Sequence, residues 1–357
     1  MDLKGRRLTV GITGLNAHDN PGPGVAVIRS LKEYYAEEIR IVGLAYESLE
    51  PGIYMEALVD CVYQIPYPTA GTAALLERLT SIQEREQLHL IIPNFDSELY
   101  NFIKIAPQLE KLGIKTFLPS LEQLEARDKV NLYRFGSIHG FQVPNSILIN
   151  SISDLIKATE TLDYPFVIKG KFYEAQIVTN YEAAKNEFYK LSSKWGLPII
   201  AQQYIKGTEI NVAGLADGNG KAISVVAMRK LYLTDKGKAW AGITIEDIEL
   251  VELAKQFADS TKWKGGFELE LMKTNEGNLW VMEINPRFPA WIYLTTAAGQ
   301  NQPAALVKMA MGEEIQPYKA YAAGKMFIRY SWDEIVDISQ FQQFAAFGEI
   351  INTKNRI

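Results

Sequence analysis

The sequence predicts an α/β protein: a doubly wound parallel sheet at the N-terminus, then a mixed α+β portion. Three observations predict it. Residues 7–118 alternate short apolar runs with amphipathic stretches, the βαβ rhythm of a parallel sheet. Residues 164–286 carry strand-like runs, most with period-two patterning, broken by a helical stretch. The chain has 357 residues and is 47% hydrophobic, long enough for two or three domains with buried cores.

Taken in order, LTVGITG, IRIVGLAY, CVYQIP, LHLIIPN and KTFLP predict strands, with GVAVIRSLKEYYAE and TAALLERLTSIQERE as helices between some of them. Residues 119–160 are mainly helical, through SLEQLEARDKVNLYRFGSIHG and SISDLIKATETL. Strands PFVIKG, PIIAQQYI, TEINVAGLAD and AISVVAMRKLYL come next, then the helix TIEDIELVELAKQFADSTKW. A hairpin spans 266–286, a helix covers about 302–311, and a strand–helix tail ends the chain. There is no internal repeat and no low-complexity segment.

Composition excludes several functions. The net charge is -5 with both signs interspersed, so nucleic acid is not the expected partner. One cysteine, Cys61, rules out an internal disulfide framework and a cysteine-based zinc site. Three scattered histidines (His18, His89 and His139) argue against a histidine metal site. No apolar run reaches the ~18 residues of a membrane span, and the N-terminus does not read as a signal peptide. The expectation is a soluble, cytoplasmic protein without a membrane partner.

The stretch LWVMEINPRF, residues 279–288, carries the chemistry. A strand alternates its faces, so Glu283, Asn285 and Arg287 point one way while Met282 and Ile284 point the other. Pro286 cannot donate to a ladder, so the regular strand stops near it. If Glu276-Gly277 form a two-residue turn, Glu270 falls opposite Glu283 and Glu268 opposite Asn285. A bulge at Gly277 would instead shift that register by one. Facing carboxylates roughly 5 Å apart at Cβ repel, and an oxygen-seeking cation relieves them. Mg²⁺ takes one or two carboxylates and completes its shell with water and phosphates. Asn285 adds a neutral oxygen, and Arg287 suits a phosphoryl oxygen. A solvated strand face with incidental acids explains the period but not the Glu-x-Asn-Pro-Arg cluster.

At these residues the sequence resembles the ATP-grasp superfamily, in its branch containing carbamoyl phosphate synthase and biotin carboxylase. The resemblance runs across roughly 119–312, and residues 1–118 resemble the pre-ATP-grasp domain that precedes it. It implies a two-lobed ATP-grasp domain with a small lobe near 164–205 and a large lobe near 206–312. Residues 313–357 would be a strand–helix extension packed on the large lobe. Glu270, Glu283 and Asn285 would hold Mg²⁺, with Mn²⁺ as the alternative ion, and Arg287 would contact the transferred phosphate. ARDKVNLYRFGSIHGFQVPNS resembles the first nucleotide-binding stretch and places Lys129 at the phosphates. YPFVIKG makes Lys169 the second phosphate lysine. IIAQQYIKGTEINV resembles the adenine hinge, with Gln202 near the adenine amino group and the Gln203-Tyr204-Ile205 backbone along its edge. Glu209 would accept from the ribose.

The sequence departs from the family after Lys169. A glycine-rich loop usually folds over the phosphates there, but this chain reads KGKFYEAQIVTN, with Gly170 alone. Lys171 and Tyr173 are the candidates to contact phosphate instead. The first βα turn, GITGLNAHDNPGPGVAVIRSL, opens a helix near Val25 and is either a structural turn or, with Asn16 and Asp19, the border of the acceptor pocket. Asp96, after a strand end, is a pocket candidate. Arg229, Lys238, Trp240 and Arg329 are candidates for substrate, with Arg229 joining Lys169 and Arg287 as a candidate for the transfer itself. Trp291 either shapes the pocket or packs.

The resemblance implies a carboxylate–amine ligase. ATP activates a carboxylate as an acyl phosphate, and an amine attacks it to give an amide or peptide bond, releasing ADP and phosphate. Small carboxylates and amines, among them amino acids or a peptide, would be its substrates, and a homodimer is the expected assembly. The alternatives are an Mg-ATP-binding protein without turnover and a small-molecule kinase.

Overall fold

The computed structural model describes residues 7–17, 20–170, 174–234 and 237–351. In chain order the N-terminal elements are β1 (Leu8–Ile12), α1 (Pro23–Tyr35), β2 (Ile39–Ala45), β3 (Cys61–Gln64), α2 (Gly71–Glu86), β4 (Leu90–Ile92) and α3 (Asp96–Lys111). Then come α4 (Leu121–Ala126), α5 (Leu132–His139), β5 (Ser146–Ile149), α6 (Ile152–Thr161), β6 (Phe166–Lys169), β7 (Ala175–Val178), α7 (Tyr181–Trp195) and β8 (Ile199–Gln203). The remaining chain gives β9 (Thr208–Asp217), β10 (Ala222–Leu233), β11 (Ala239–Thr244), α8 (Ile248–Thr261), β12 (Lys264–Lys273) and β13 (Leu279–Asn285). It ends with α9 (Tyr293–Ala297), α10 (Gln302–Ala310), β14 (Met326–Ile328), α11 (Ile338–Phe347) and β15 (Glu349–Ile351).

The chain divides into two compact units. One comprises Met1–Leu121, Asn211–Glu268 and Asn285–Ile357; the other comprises Glu122–Ile210 and Leu269–Ile284.

In the first unit the N-terminal sheet has the order β15-β3-β2-β1-β4. Strands β1, β2, β3 and β4 pair in parallel, as the βαβ rhythm predicts. The order turns back on itself between β2 and β4, flanking β1, which is where open α/β sheets place ligands. KTFLP does not form the expected strand; it contributes only a bridge between Lys115 and Leu90. Ends of β1, β2 and β4 are knitted by Glu98, which is fully buried and accepts from Thr13 Oγ1, Asn94 N (2.6 Å), Phe95 N (2.9 Å) and Tyr46 Oη. Burial pushes its carboxyl above the ordinary range.

The glycine-rich first turn is closed on itself. Gly24 N–H donates to Gly14 O at 2.9 Å, and a Cβ on Gly24 would lie 2.1 Å from Thr13 O. These glycines serve close backbone packing, the structural-turn reading. Asp19 lies outside the described residues.

The tail splits. β14 pairs with β11, whereas β15 joins the N-terminal sheet, antiparallel to β3. The sequence reading had put the whole extension on the large lobe. Its three-residue strand Glu349–Ile351 is too short for patterning to assign.

The second unit contains a four-stranded sheet of order β5-β8-β6-β7. α6 and α7 cover it, burying Leu155, Ala158, Ala184, Phe188 and Leu191 against Phe166, Ile168 and Ala201. α7 starts at Asn180, whose side chain accepts from Ala183 N–H at 2.9 Å. The expected single helical stretch at 120–140 is two short helices, with Lys129 in the turn between them.

A six-stranded sheet, order β13-β12-β9-β10-β11-β14, carries the predicted hairpin at one edge. The hairpin turn differs from the two-residue expectation. Gly277 N–H donates to Thr274 O and Thr274 N–H to Asn278 O, both at 3.0 Å, with Gly277 at φ +91°. Residues 275–277 therefore form the loop, and the glycine takes the left-handed position of a bulged turn.

Candidate active site

In the second unit two lysines and an acid gather at strand ends. Lys169 is the last residue of β6 and only 9% exposed. The register sets Val167 opposite Gln202, so Lys169 and Gln202 share a face of the sheet. Lys169 Nζ donates to Gln202 Oε1 at 2.9 Å, and Gln202 Nε2 donates to Ser146 Oγ at 2.9 Å. Burial first, and the nearby Lys129 charge second, push the Lys169 ammonium down to about 8, against an opposing pull from Glu283. Lys129 Nζ lies 3.1 Å from Glu283 Oε2. An ammonium held in this way, with an amide rather than a carboxylate as its bonded partner, is suited to an incoming anion.

The hinge after β8 is consistent with a backbone-read ligand at one residue. Ile205 makes no backbone hydrogen bond to another described residue, and its side chain is buried. Gln203 N–H is already engaged, donating to Asn145 O at 2.8 Å. Tyr204 is 36% exposed, and Glu209 is exposed on β9. Glu270 is half-buried on β12. Lys171 lies outside the described residues.

The lid departure is visible directly. β6 and β7 pair up to Lys169 opposite Ala175, and Gly170 N–H donates to Glu174 O at 3.1 Å. Only residues 171–173 separate these closing partners, where a phosphate-covering loop would be longer.

In the first unit the open end of the hairpin is a buried polar knot. Asn285 Nδ2 donates to Glu268 Oε2 at 2.9 Å. Asn211 Nδ2 and Trp291 Nε1 both donate to Glu268 Oε1 at 2.7 Å. All four side chains are buried. With its nitrogen on Glu268, Asn285 has its carboxamide oxygen as its other end. The Asn211 oxygen has no partner among the described residues. Next to this knot in sequence, Arg287 is gripped by Asp96: Nε and Nη2 lie 3.1 and 3.0 Å from Asp96 Oδ2, while Nη1 donates to Phe288 O.

Sequence reasoning drew Glu268 opposite Asn285 but gave it no role; Asn211 it missed. Its signal was an amide inside the apolar run INVAGLA. Trp291 packs and also donates. Asp96, expected in a pocket, holds Arg287.

The far end of the sheet separates the remaining candidates. Met228 opposes Thr244, Arg229 opposes Ile243, and Ile243 opposes Met326. Arg329 N–H meets Trp240 O, so Arg329 and Trp240 share the face opposite to Arg229. Arg229 and Arg329 are therefore not brought together. Arg329 Nε donates to Ala239 O at 2.9 Å, and burial pushes its guanidinium down to about 10. Lys238 is exposed.

Metal-binding capacity follows from donor chemistry. Among the described residues no group of three or more His, Cys, Asp or Glu side chains is gathered for a metal. Glu270 and Glu283 in the second unit, and Asn285 in the first, each offer oxygen, a donor type that suits Mg²⁺ rather than zinc.

Comparison with known proteins bears on the fold. The family described as "ATP-grasp in the biosynthetic pathway with Ter operon" matches residues 197–332. The biotin carboxylase domain of Hydrogenobacter thermophilus 2-oxoglutarate carboxylase, solved with MgADP and bicarbonate, superposes with a TM-score of 0.68 at 17% identity, covering 88% of this chain and 72% of that one. The chain has the ATP-grasp fold. Carbamoyl phosphate synthase large chain of Clostridium acetobutylicum is 23% identical to this ATP-grasp chain over 227 residues, 59% of this chain and 21% of that protein. D-alanine–D-alanine ligase of Pseudomonas entomophila is 23% identical over 193 residues, 50% of this chain and 60% of the ligase. The chain thus spans between a fifth and three fifths of these relatives. Among the described residues no helix is long and apolar enough to cross a membrane.

Proposed function

We propose that the protein is an ATP-dependent carboxylate–amine ligase, making an amide or peptide bond through an acyl phosphate. The observation that carries this is the buried Lys169, bonded to Gln202 and flanked by the Lys129–Glu283 pair. That group supports a nucleotide polyphosphate. Similarity to carbamoyl phosphate synthase and D-alanine–D-alanine ligase supports the ligase class.

Each residue has a part in this reading. Lys169 and Lys129 neutralise phosphate charge. Gln202 holds Lys169 in place, and the Ile205 backbone reads the adenine edge while Glu209 takes the ribose. Glu270, Glu283 and Asn285 would hold Mg²⁺ (or Mn²⁺), which would supply charge neutralisation for the phosphates. Lys129 then shifts its charge from Glu283 to phosphate. Arg287, preset by Asp96, stabilises the phosphoryl group in transfer. A substrate carboxylate oxygen attacks the γ-phosphorus and ADP leaves. The amine then attacks the acyl carbon, loses a proton and expels phosphate. Arg329 and Trp240 share a sheet face and are the candidates for binding substrate. Amino acids or a peptide are the proposed substrates, and a cytoplasmic location belongs to the same proposal.

The tight closure of β6 on β7 favours a second reading, Mg-ATP binding without ligation, since little chain remains to exclude water from an acyl phosphate. The test is ADP release with Mg-ATP, scanned over carboxylates and amines singly and in pairs. Release that needs both partners is expected. Tight Mg-ATP binding with no release from any pair would favour the second reading.

A further inference from the structure

β14 is the last strand of the six-stranded sheet, paired on one side by β11. Arg329 N–H and Lys325 O point to β11, where they meet Trp240 O and Thr244 N–H. By alternation, the backbone groups of Met326, Ile328 and Tyr330 point outward. The register with β11 therefore leaves these groups unused by the sheet. Their side chains are bare as well: Met326 is 51% exposed, Ile328 62%, Tyr330 71% and Trp332 61%. The Tyr330 and Trp332 rings pack on each other with centroids 4.9 Å apart. Natural edges are usually short, charged or covered; this one is short but apolar and aromatic.

We propose that β14 is the seam of a homodimer, pairing antiparallel with its own copy about Ile328. Three features select a second copy. The outward backbone groups are self-complementary: Ile328 exchanges both bonds with its own copy, and Met326 does so with the copy's Tyr330. Centring on Ile328 sets Met326 against an aromatic ring and Phe327 against Arg329. The neighbouring register, centred on Arg329, would set that guanidinium against itself, which is destabilising. Lys325 at one end also comes diagonal to Asp333 of the copy at the other, an opposite-sign contact. This inference is independent of the proposed ligase activity.

Analytical ultracentrifugation of the full chain is the test. The wild type sediments as a dimer, and Ile328→Lys raises the dissociation constant at least ~30-fold, the scale of an interface hot spot. Ile328 is mostly exposed in the single chain, so the far-UV circular dichroism of Ile328→Lys should match wild type. The register is read separately. Cys61 is buried, so a short bismaleimide should join Ile328→Cys into a covalent dimer and leave Leu49→Cys, at a distant exposed site, uncrosslinked. A wild type that is monomeric across the concentration range overturns the proposal, as does an Ile328→Lys variant that stays dimeric. Shifted tryptophan fluorescence on adding extended peptides to a monomeric wild type would assign the edge to peptide strand addition instead.

Discussion

Lys169 shows what a single residue in this site must balance. Its ammonium sits at about 8 rather than 10.5, because burial and Lys129 disfavour the charge more than Glu283 restores it. The folded state thus binds this proton less tightly than the unfolded state. Between about pH 8 and 10.5, stability should rise with pH, by up to roughly 3 kcal/mol from this residue alone. Below pH 8 the buried charge carries its full penalty. A polyphosphate beside Lys169 reverses the balance and draws the proton back. Calorimetry of Mg-ATP binding near pH 8.5, in buffers of different ionisation enthalpy, should detect proton uptake, and Lys169→Met should abolish it. Equal heats in all buffers for the wild type would remove Lys169 from the phosphates. Arg287 gives a second prediction. Asp96 grips two of its nitrogens, so Asp96→Asn should lower kcat for ADP release about tenfold, or ~1.4 kcal/mol, with KM for ATP nearly unchanged. A rise in KM for the carboxylate at constant kcat would instead return Asp96 to the substrate pocket. Lys169 and Arg287 stood out in the sequence because a charge ending an apolar run has few reasons to be there. The pairing of Asp96 with Arg287 could not be read, since sequence does not state which distant side chains meet.

At the scale of an element, the hairpin shows what patterning can and cannot fix. Period-two alternation placed Glu283, Asn285 and Arg287 on one face; the three-residue loop shifts the facing drawn from a two-residue turn by one at the turn, while the Asn285 side chain still reaches Glu268. The turn was not fixed, because Glu276-Gly277 suits both a two-residue turn and the left-handed end of a longer loop. The observed bonds choose the latter. Gly277 at φ +91° has no neighbouring atom within 4 Å of a built Cβ, so any cost of a side chain there is backbone strain alone. Gly277→Ala should destabilise by about 1–2 kcal/mol, seen as a lower urea midpoint with unchanged slope. Retained stability would mean that the loop re-forms as the shorter turn. The lid contrasts with this: its shortness was legible by counting residues after Lys169, and the direct β6–β7 closure follows from that count.

For the whole molecule, βαβ alternation sufficed for the parallel sheet, because parallel neighbours need a long crossover, usually a helix, and β2 and β3 are likewise joined by a long segment, without an α-helix. The return of the tail to β3 was not legible, since a three-residue strand has too little pattern and its partner lies far back in the chain. Ligand linkage now gives the broadest test of the proposed site. A ligand that binds only the folded chain stabilises it by about 2.7 kcal/mol at a hundredfold excess over Kd. For a chain of 357 residues unfolding as a unit that corresponds to a rise of roughly 3–4 °C in Tm. ATP without magnesium should give a smaller rise, carried by Lys129 and Lys169. The magnesium-dependent remainder should vanish in Glu283→Gln, which keeps the side chain's shape but removes its charge. That variant also frees Lys129 from its 3.1 Å partner, so the magnesium-free rise should persist or grow. Loss of both parts together would point to a damaged fold, to be checked by circular dichroism. Retention of the full magnesium-dependent part would take Glu283 out of the metal set and leave Glu268 with Asn285 as the pair to test next.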